Sequence, residues 1–324
     1  MSTPQLPALP EVTRLSPSCI RILAGNPGRF TLQGTNTYLL GSGSSRLLID
    51  TGEGRPSWIS ALHRVLQDEG ASLAATLITH WHHDHTGGIV DVLKAWPGTA
   101  VYKHGGAVGD GDTALGEGVQ EMRDGQRFVV DGASLAAVHT PGHTTDHVVL
   151  VWEEAGAVFT GDNVLGHGTS VFGDLGAYVD SLERMRGLFG SGTAAGGQDG
   201  VGGSAFPGHG PVVTDGVGKI AEYIQHRAQR EEQVVQTLRA ENSAAAAAAA
   251  AQGTTTAVGS EDGRKTWTVM ELVRSIYRNV PESLHPAAAG GVVQILQKLA
   301  REGKAVLEGD GERWRLAGAG RSVL

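Results

Sequence analysis

The sequence predicts a layered α/β domain followed by a small second module, and three features point that way. Short apolar runs at residues 47–49, 75–78, 148–151 and 157–159 are bordered closely by Gly, Asp or His, as strands that deliver residues to a site would be. Helical spacing fills some of the gaps. Trp58, Ile59, Leu62, Val65 and Leu66 recur with a 3.6-residue period behind Pro56-Ser57, and Leu175, Tyr178, Leu182, Met185 and Leu188-Phe189 do the same. Forty-eight glycines and only 5% aromatics add a loop-rich character, because glycine collects where backbones turn tightly or approach a ligand. Alternating strands and helices imply stacked layers.

At 324 residues, 40% hydrophobic and 19% charged, the chain has room for a full catalytic domain and a smaller appendage. No apolar run reaches the roughly 18 to 20 residues that cross a bilayer. The first fifteen residues also lack a charged start followed by an apolar stretch, so neither secretion nor membrane insertion is expected. The lone cysteine, Cys19, cannot form an intramolecular disulfide, which leaves the cytoplasm as the expected compartment. A net charge of -8 works against nonspecific attraction to nucleic acid or anionic lipid over the whole surface.

Further along, residues 190–204 are rich in Gly and small polar side chains and read as a flexible surface insertion. A helix is expected over residues 215–241, and the alanines at 244–251 favour its continuation. The stretch 243–262 then loosens into Gly, Thr and Ser and reads as a linker between domains. Beyond it, residues 265–318 read helix, helix, then a hairpin turning at Gly309-Asp310-Gly311. Residues 265–324 carry nine basic and six acidic side chains, net +3, which leaves -11 on the remainder. This tail resembles a winged-helix module. It is either a docking surface for a partner or nucleic acid, or a packed cap with a solvated face.

The most informative stretch is Thr79-His80-Trp81-His82-His83-Asp84-His85-Thr86-Gly87-Gly88. It follows an apolar run, which predicts a loop at a strand end. On a helix, positions i and i+2 face apart, so a loop is what lets His80, His82, Asp84 and His85 converge. Imidazoles and a carboxylate packed so densely suit a divalent metal, zinc above all. Three distant residues join them: His143 in Thr140-Pro141-Gly142-His143-Thr144, Asp162 in Phe159-Thr160-Gly161-Asp162, and His209 in Phe206-Pro207-Gly208-His209-Gly210. Alone, each is an ordinary turn residue; together they complete two metal sites.

This His-x-His-x-Asp-His run with its three later partners resembles the metallo-β-lactamase fold in its glyoxalase II-like hydrolase branch, over about residues 18–240. The resemblance implies a four-layer αββα sandwich with the site at one sheet edge and two zinc ions per chain. It implies that His80, His82 and His143 hold the first metal, that Asp84, His85 and His209 hold the second, and that Asp162 bridges them. Asp50 matches the buried aspartate that orients such a site, with a plain turn residue as the alternative. Paired metals would acidify a water and stabilise an anionic transition state, with Asp84 moving the proton. His147 is a weaker expectation as a supporting residue, and His167 as a pocket residue. His63, His83, His104, His139, His226 and His285 receive no role.

Two groups within that family share both the catalytic domain and such a tail. One releases polyketides from the acyl carrier protein of a fungal non-reducing polyketide synthase in secondary metabolism; the other cleaves single-stranded RNA. Residues 25–38, 162–168 and 226–231 look most like the fungal thioesterases, and the middle stretch carries most of that weight. The expected partner is therefore an acyl carrier protein, with RNA as partner only under the alternative, and no membrane under either.

Overall fold

The computed structural model describes residues 6–105, 107–108, 113–114, 118–189, 200–252, 266–309 and 311–317. They divide into two compact units, Met1–Ile224 and Gln225–Leu324. The first unit opens with β1 (Val12–Ser16), β2 (Cys19–Leu23), β3 (Asn36–Leu40), β4 (Ser45–Ile49), α1 (Pro56–Asp68) and β5 (Ser72–Ile78). Two short helices follow, α2 (His83–Thr86) and α3 (Ile89–Ala95), then β6 (Ala100–Lys103), the small hairpin β7 (Ala107–Val108) with β8 (Thr113–Ala114), and β9 (Val119–Glu121). Next come β10 (Arg127–Val130), β11 (Ala133–His139), β12 (Val148–Trp152), β13 (Ala157–Gly161), α4 (Leu175–Arg186), β14 (Ala205–Pro207) and the start of α5 (Gly216–Gln252).

One sheet has the order β1-β2-β3-β4-β5-β6-β9 and the other β10-β11-β12-β13-β14. Their strands are near-continuous apolar runs because both faces are covered. Alternation sorts the side chains: Leu47 and Ile49 of β4 enter the core between the sheets with Leu135, Leu150, Trp152 and Phe159, while Leu48 faces outward onto Trp58, Leu62 and Leu66 of α1. Each such fully buried side chain contributes about 1.5–3 kcal/mol. On the far side Val149 and Val158 pack against Tyr178, Leu182 and Met185 of α4 and Ile220 and Tyr223 of α5. The result is helix, sheet, sheet, helix, the four-layer arrangement expected.

The geometry of sheet connections positions the site. β4, β5 and β6 run parallel, as do β13 and β14, so the segments after β4, β5 and β13 leave at strand ends that carry polar residues. The cluster at 79–88 departs from expectation in one respect. Only residues 79–82 form a loop; from His83 the chain turns into α2, with the His85 and Thr86 amides donating to the carbonyl of His82. Asp84 and His85 thus sit on a helical turn, which aims them differently from the loop pair.

Helix α5 continues through the alanine run to Gln252. Residues 190–199 and 253–262, the greater part of the expected Gly-rich insertion and the second half of the expected linker, lie outside the described residues. The second unit adds β15 (Trp267–Thr268), α6 (Val269–Ile276), a 3-10 turn, α7 (His285–Arg301), β16 (Ala305–Glu308) and β17 (Arg313–Leu316), with strand order β15-β17-β16. Thr268 and Glu271 cap α6 reciprocally, and Leu272, Leu296, Leu299 and Trp314 form its core. Among the described residues no helix is long and apolar enough to cross a membrane.

Candidate metal centre

Asp50 ends β4 with a positive φ of 59°, a conformation that Asp tolerates better than most residues, and it is 1% exposed. That turn points its carboxylate beneath the histidine cluster. The Thr79 amide and hydroxyl donate to it at 2.8 and 2.9 Å, and His85 Nδ1 lies 2.7 Å from Oδ2. Because the Thr79 proton goes to Asp50, Thr79 Oγ1 is free to accept from His80 Nδ1 at 3.0 Å. His143 Nδ1 donates to the carbonyl of Val171 at 2.8 Å. In His80 and His143, then, Nδ1 carries the proton and Nε2 presents a lone pair, while in His85 the Asp50 carboxylate fixes a proton on Nδ1 and turns Nε2 toward the centre.

Those lone pairs converge. His80 Nε2 and His143 Nε2 lie 2.9 and 3.0 Å from His82 Nδ1. His85 Nε2 lies 3.4 Å from His209 Nε2, and both face Asp84 Oδ2, at 3.4 and 3.2 Å. Asp162 sits between the two groups, with Oδ2 4.0 Å from His80 Nε2, 3.8 Å from His143 Nε2 and 3.2 Å from His209 Nε2. His80, His82, His143 and Asp162 form one donor set, and Asp84, His85 and His209 a second, with the ligand atoms of each within 4.8 Å of one another. Every donor named from the sequence is in this cluster.

The arrangement fits divalent cations on its own chemistry. The lone pairs of His80 Nε2 and His143 Nε2 both close on the single His82 Nδ1, which can give a proton to only one of them. Asp162 Oδ1 is also buried without a hydrogen-bond donor. Nitrogen and carboxylate donors in this ratio suit zinc-like ions.

Electrostatics divides the histidines into two groups, with His80 and His82 held neutral and His85 and His209 favoured as cations by the carboxylates around them. Burial, reinforced by the charge of His85, holds His80 well below the ordinary imidazole range, and burial with the charge of His143 lowers His82 and, more strongly, His147. Burial opposes charge on His209 as well, but Asp162 and Asp84 outweigh it and push its pKa up to about 9. His85 is raised likewise, against burial, by Asp50, Asp162 and Asp84. In return the His85 charge and the His209 hydrogen bond hold Asp84 far below the usual carboxylate range despite its burial, and His209 and His85 do the same for Asp162.

Supporting side chains tie the loops together. His147, fully buried, accepts the Asp162 amide on Nε2 at 3.1 Å and contacts Thr140 Oγ1 through Nδ1. Asn163 donates to the carbonyl of Thr140, linking the Asp162 and His143 loops, and Asn36 donates to the carbonyls of Pro207 and Gly210 on either side of His209. Gly208 has no alternative, since a Cβ there would meet Asp162 Oδ1 at 2.3 Å. Thr35 donates to Asp84 Oδ2 at 3.2 Å and is itself held by Asn26. Sequence reasoning gave no role to Thr35, Thr79, Thr140 and Asn163, which are common residue types, although Thr35 and Asn163 lie in the stretches 25–38 and 162–168 and Thr79 and Thr140 open two of the donor motifs. Of the histidines left without a role, His63 packs on Trp96 and His104 on His139, and none belongs to either donor set.

A cavity of about 360 Å³ opens onto the donors and includes His82, Asp84, His143, Asp162 and His209 in its wall. His167 is on that wall too, as are Phe30, Leu32, Leu165 and Val171.

A four-layer sandwich with such a centre facing a cavity defines a metal-dependent hydrolase. The family profile described as the metallo-beta-lactamase superfamily matches residues 30–191, and one described as the beta-lactamase associated winged helix domain matches residues 268–314. An "Atrochrysone carboxyl ACP thioesterase" from Aspergillus chevalieri is 43% identical over 97% of this chain and 92% of its own length. A "Beta-lactamase-like protein 2 homolog" from Drosophila melanogaster is 42% identical over 91% of this chain and 92% of its own. In fold, a metallo-beta-lactamase family protein from Thermus thermophilus superposes with a TM-score of 0.65 at 19% identity, covering 94% of this chain and all of that one. The chain belongs to the metallo-beta-lactamase superfamily.

Proposed function

We propose that this protein is a thioesterase that releases a polyketide acid from the acyl carrier protein of a polyketide synthase, with two zinc ions held by the seven clustered donors. His80, His82 and His143 would hold the first ion, Asp84, His85 and His209 the second, and Asp162 would lie on both. The single observation behind the substrate class is the similarity to the Aspergillus chevalieri protein across nearly the whole of both chains. What a bound zinc pair supplies is an acidified water and charge stabilisation for the developing oxyanion.

The remaining work falls to side chains. Asp84 is ionised and fixed by Thr35, so its carboxylate is the proposed acceptor for the proton of the attacking water and passes that proton on to the departing sulfur. The C–S bond then breaks and the carrier leaves as a thiol. A thiol with a pKa near 8.5 leaves far more readily than an alcohol, so no acid beyond Asp84 is needed. Metal binding requires every imidazole ligand to be neutral, so loading the second donor group would release the protons that Asp50, Asp84 and Asp162 hold on His85 and His209.

The winged-helix unit supports this reading over RNA cleavage. Lys298 pairs with Glu231 and Glu302, Lys304 with Glu302, Arg313 with Glu271, and Arg315 with Glu308. Basic side chains already neutralised release few counterions on meeting phosphate. The deciding experiment incubates the zinc-loaded protein with acyl-loaded carrier protein and, separately, with unpaired RNA. Zinc-dependent loss of the acyl group from the carrier, read by mass spectrometry, is expected. RNA cleavage without acyl release would sink the proposal.

A further inference from the structure

Among the described residues, two that are not glycine have positive φ, and both belong to the site: Asp50 under the donors and Leu32, at 55°, in the cavity wall. Leucine is poorly suited to this conformation, because its Cβ crowds the carbonyl. Such strain persists only when the surroundings over-determine it. Here they do. The Gly28 amide donates to the Leu32 carbonyl, the Gly34 amide to the Thr31 carbonyl, and Thr31 Oγ1 to the Asn26 carbonyl, while Asn26 and Thr35 join the loop's two ends. What the strain achieves is the placement of an apolar side chain in the wall of the cavity that opens onto the donors.

Neighbouring residues share that character. Phe30 is 72% exposed and Val171 61% exposed, and both line the cavity together with Leu165. Large apolar side chains gathered in the open beside a reactive centre mark a recognition surface. The Arg29 guanidinium lies over the Phe30 ring, 5.7 Å from its centroid, so a cation covers one face of an aromatic platform.

We infer that the loop of residues 27–33, with Leu165 and Val171, is the acyl subsite, and that it favours acyl groups large and apolar enough to reach Phe30, Leu32 and Val171 together. Phe30 offers the face that Arg29 leaves open for stacking, and Leu32 and Val171 supply apolar contact. This rests on the thioesterase reading and adds what that reading leaves open, namely which part of the wall meets the acyl chain and which acyl shapes it favours.

The test compares hydrolysis of the N-acetylcysteamine thioesters of 2-naphthoic and acetic acid by the zinc-loaded parent, Phe30→Ala and Leu32→Gly. Glycine is at ease at positive φ, so Leu32→Gly should melt within about 3 °C of the parent. The naphthoyl-to-acetyl ratio of kcat/KM is expected to fall at least about fivefold in each variant. Val129→Ala, an exposed apolar residue outside the cavity lining, should leave the ratio unchanged. A ratio unaltered in both wall variants overturns the subsite. Should the parent hydrolyse no thioester, the thioesterase reading alone fails, and calorimetric titration with 2-naphthoate then decides the subsite: about fivefold weaker binding in the variants upholds it, and equal binding overturns it.

Discussion

Asp50 and Leu32 share a backbone conformation, φ 59° and 55°, and differ in everything else. Asp50 is buried and saturated: its carboxylate holds Thr79 and His85, so its strained turn is anchored by the hydrogen bonds it makes. The Leu32 side chain makes no such bonds and is half-buried at the edge of the cavity, its conformation imposed by the loop around it. The floor of the site is fixed by side-chain chemistry and the wall by backbone geometry. Damage to the floor should therefore be paid in metal binding, and damage to the wall in selectivity.

Breaking the floor directly has the largest effect. Asp162→Ala removes the carboxylate shared by both donor groups. It should cost at least about a thousandfold in kcat, with metal per chain falling when counted by elemental analysis. Asp50→Gly comes next and separates strain from chemistry, because it relieves the positive φ while deleting the acceptor for His85. Zinc affinity should fall about 10- to 100-fold in a chelator competition, whereas Leu32→Gly should bind zinc like the parent.

A third test concerns the floor without its ions. His209 in the metal-free protein has its pKa raised to about 9 from 6.5, so its contribution to stability is fully present below 6.5 and lost as pH rises through 9. His85 is shifted in the same direction. The metal-free protein should lose Tm between pH 6.5 and 9, and zinc should flatten that profile, because a coordinating histidine is already neutral. Smallest is Thr35→Val, which preserves shape and removes only the bond to Asp84. About a tenfold loss of kcat at unchanged zinc content is expected from steady-state kinetics of the loaded protein.

The seven clustered side chains were legible because four of them crowd into residues 80–85, and because His143, Asp162 and His209 each follow a glycine near a strand end and complete that run. Their second partners were not. Thr79, Thr35 and Asn163 matter through a few hydrogen bonds each, and nothing in a threonine's sequence context announces which carboxylate it will meet. His147, a weak expectation, turned out to hold the Asp162 amide, and His167 turned out to line the cavity. The turn of α2 that carries Asp84 and His85 was read as loop, because a four-residue helix is too short to show a period.

By itself the sequence determined a layered α/β chain and singled out seven clustered side chains, since apolar periodicity and residue type are local properties, while the four-layer order came from the family resemblance. Only the tertiary structure decided which nitrogen of each histidine faces the centre, which loop supports which side chain, and that a leucine is held in strain in the cavity wall. Those follow from contacts between residues as far apart as Asn36 and Gly210, where chain separation gives no guide to distance in space.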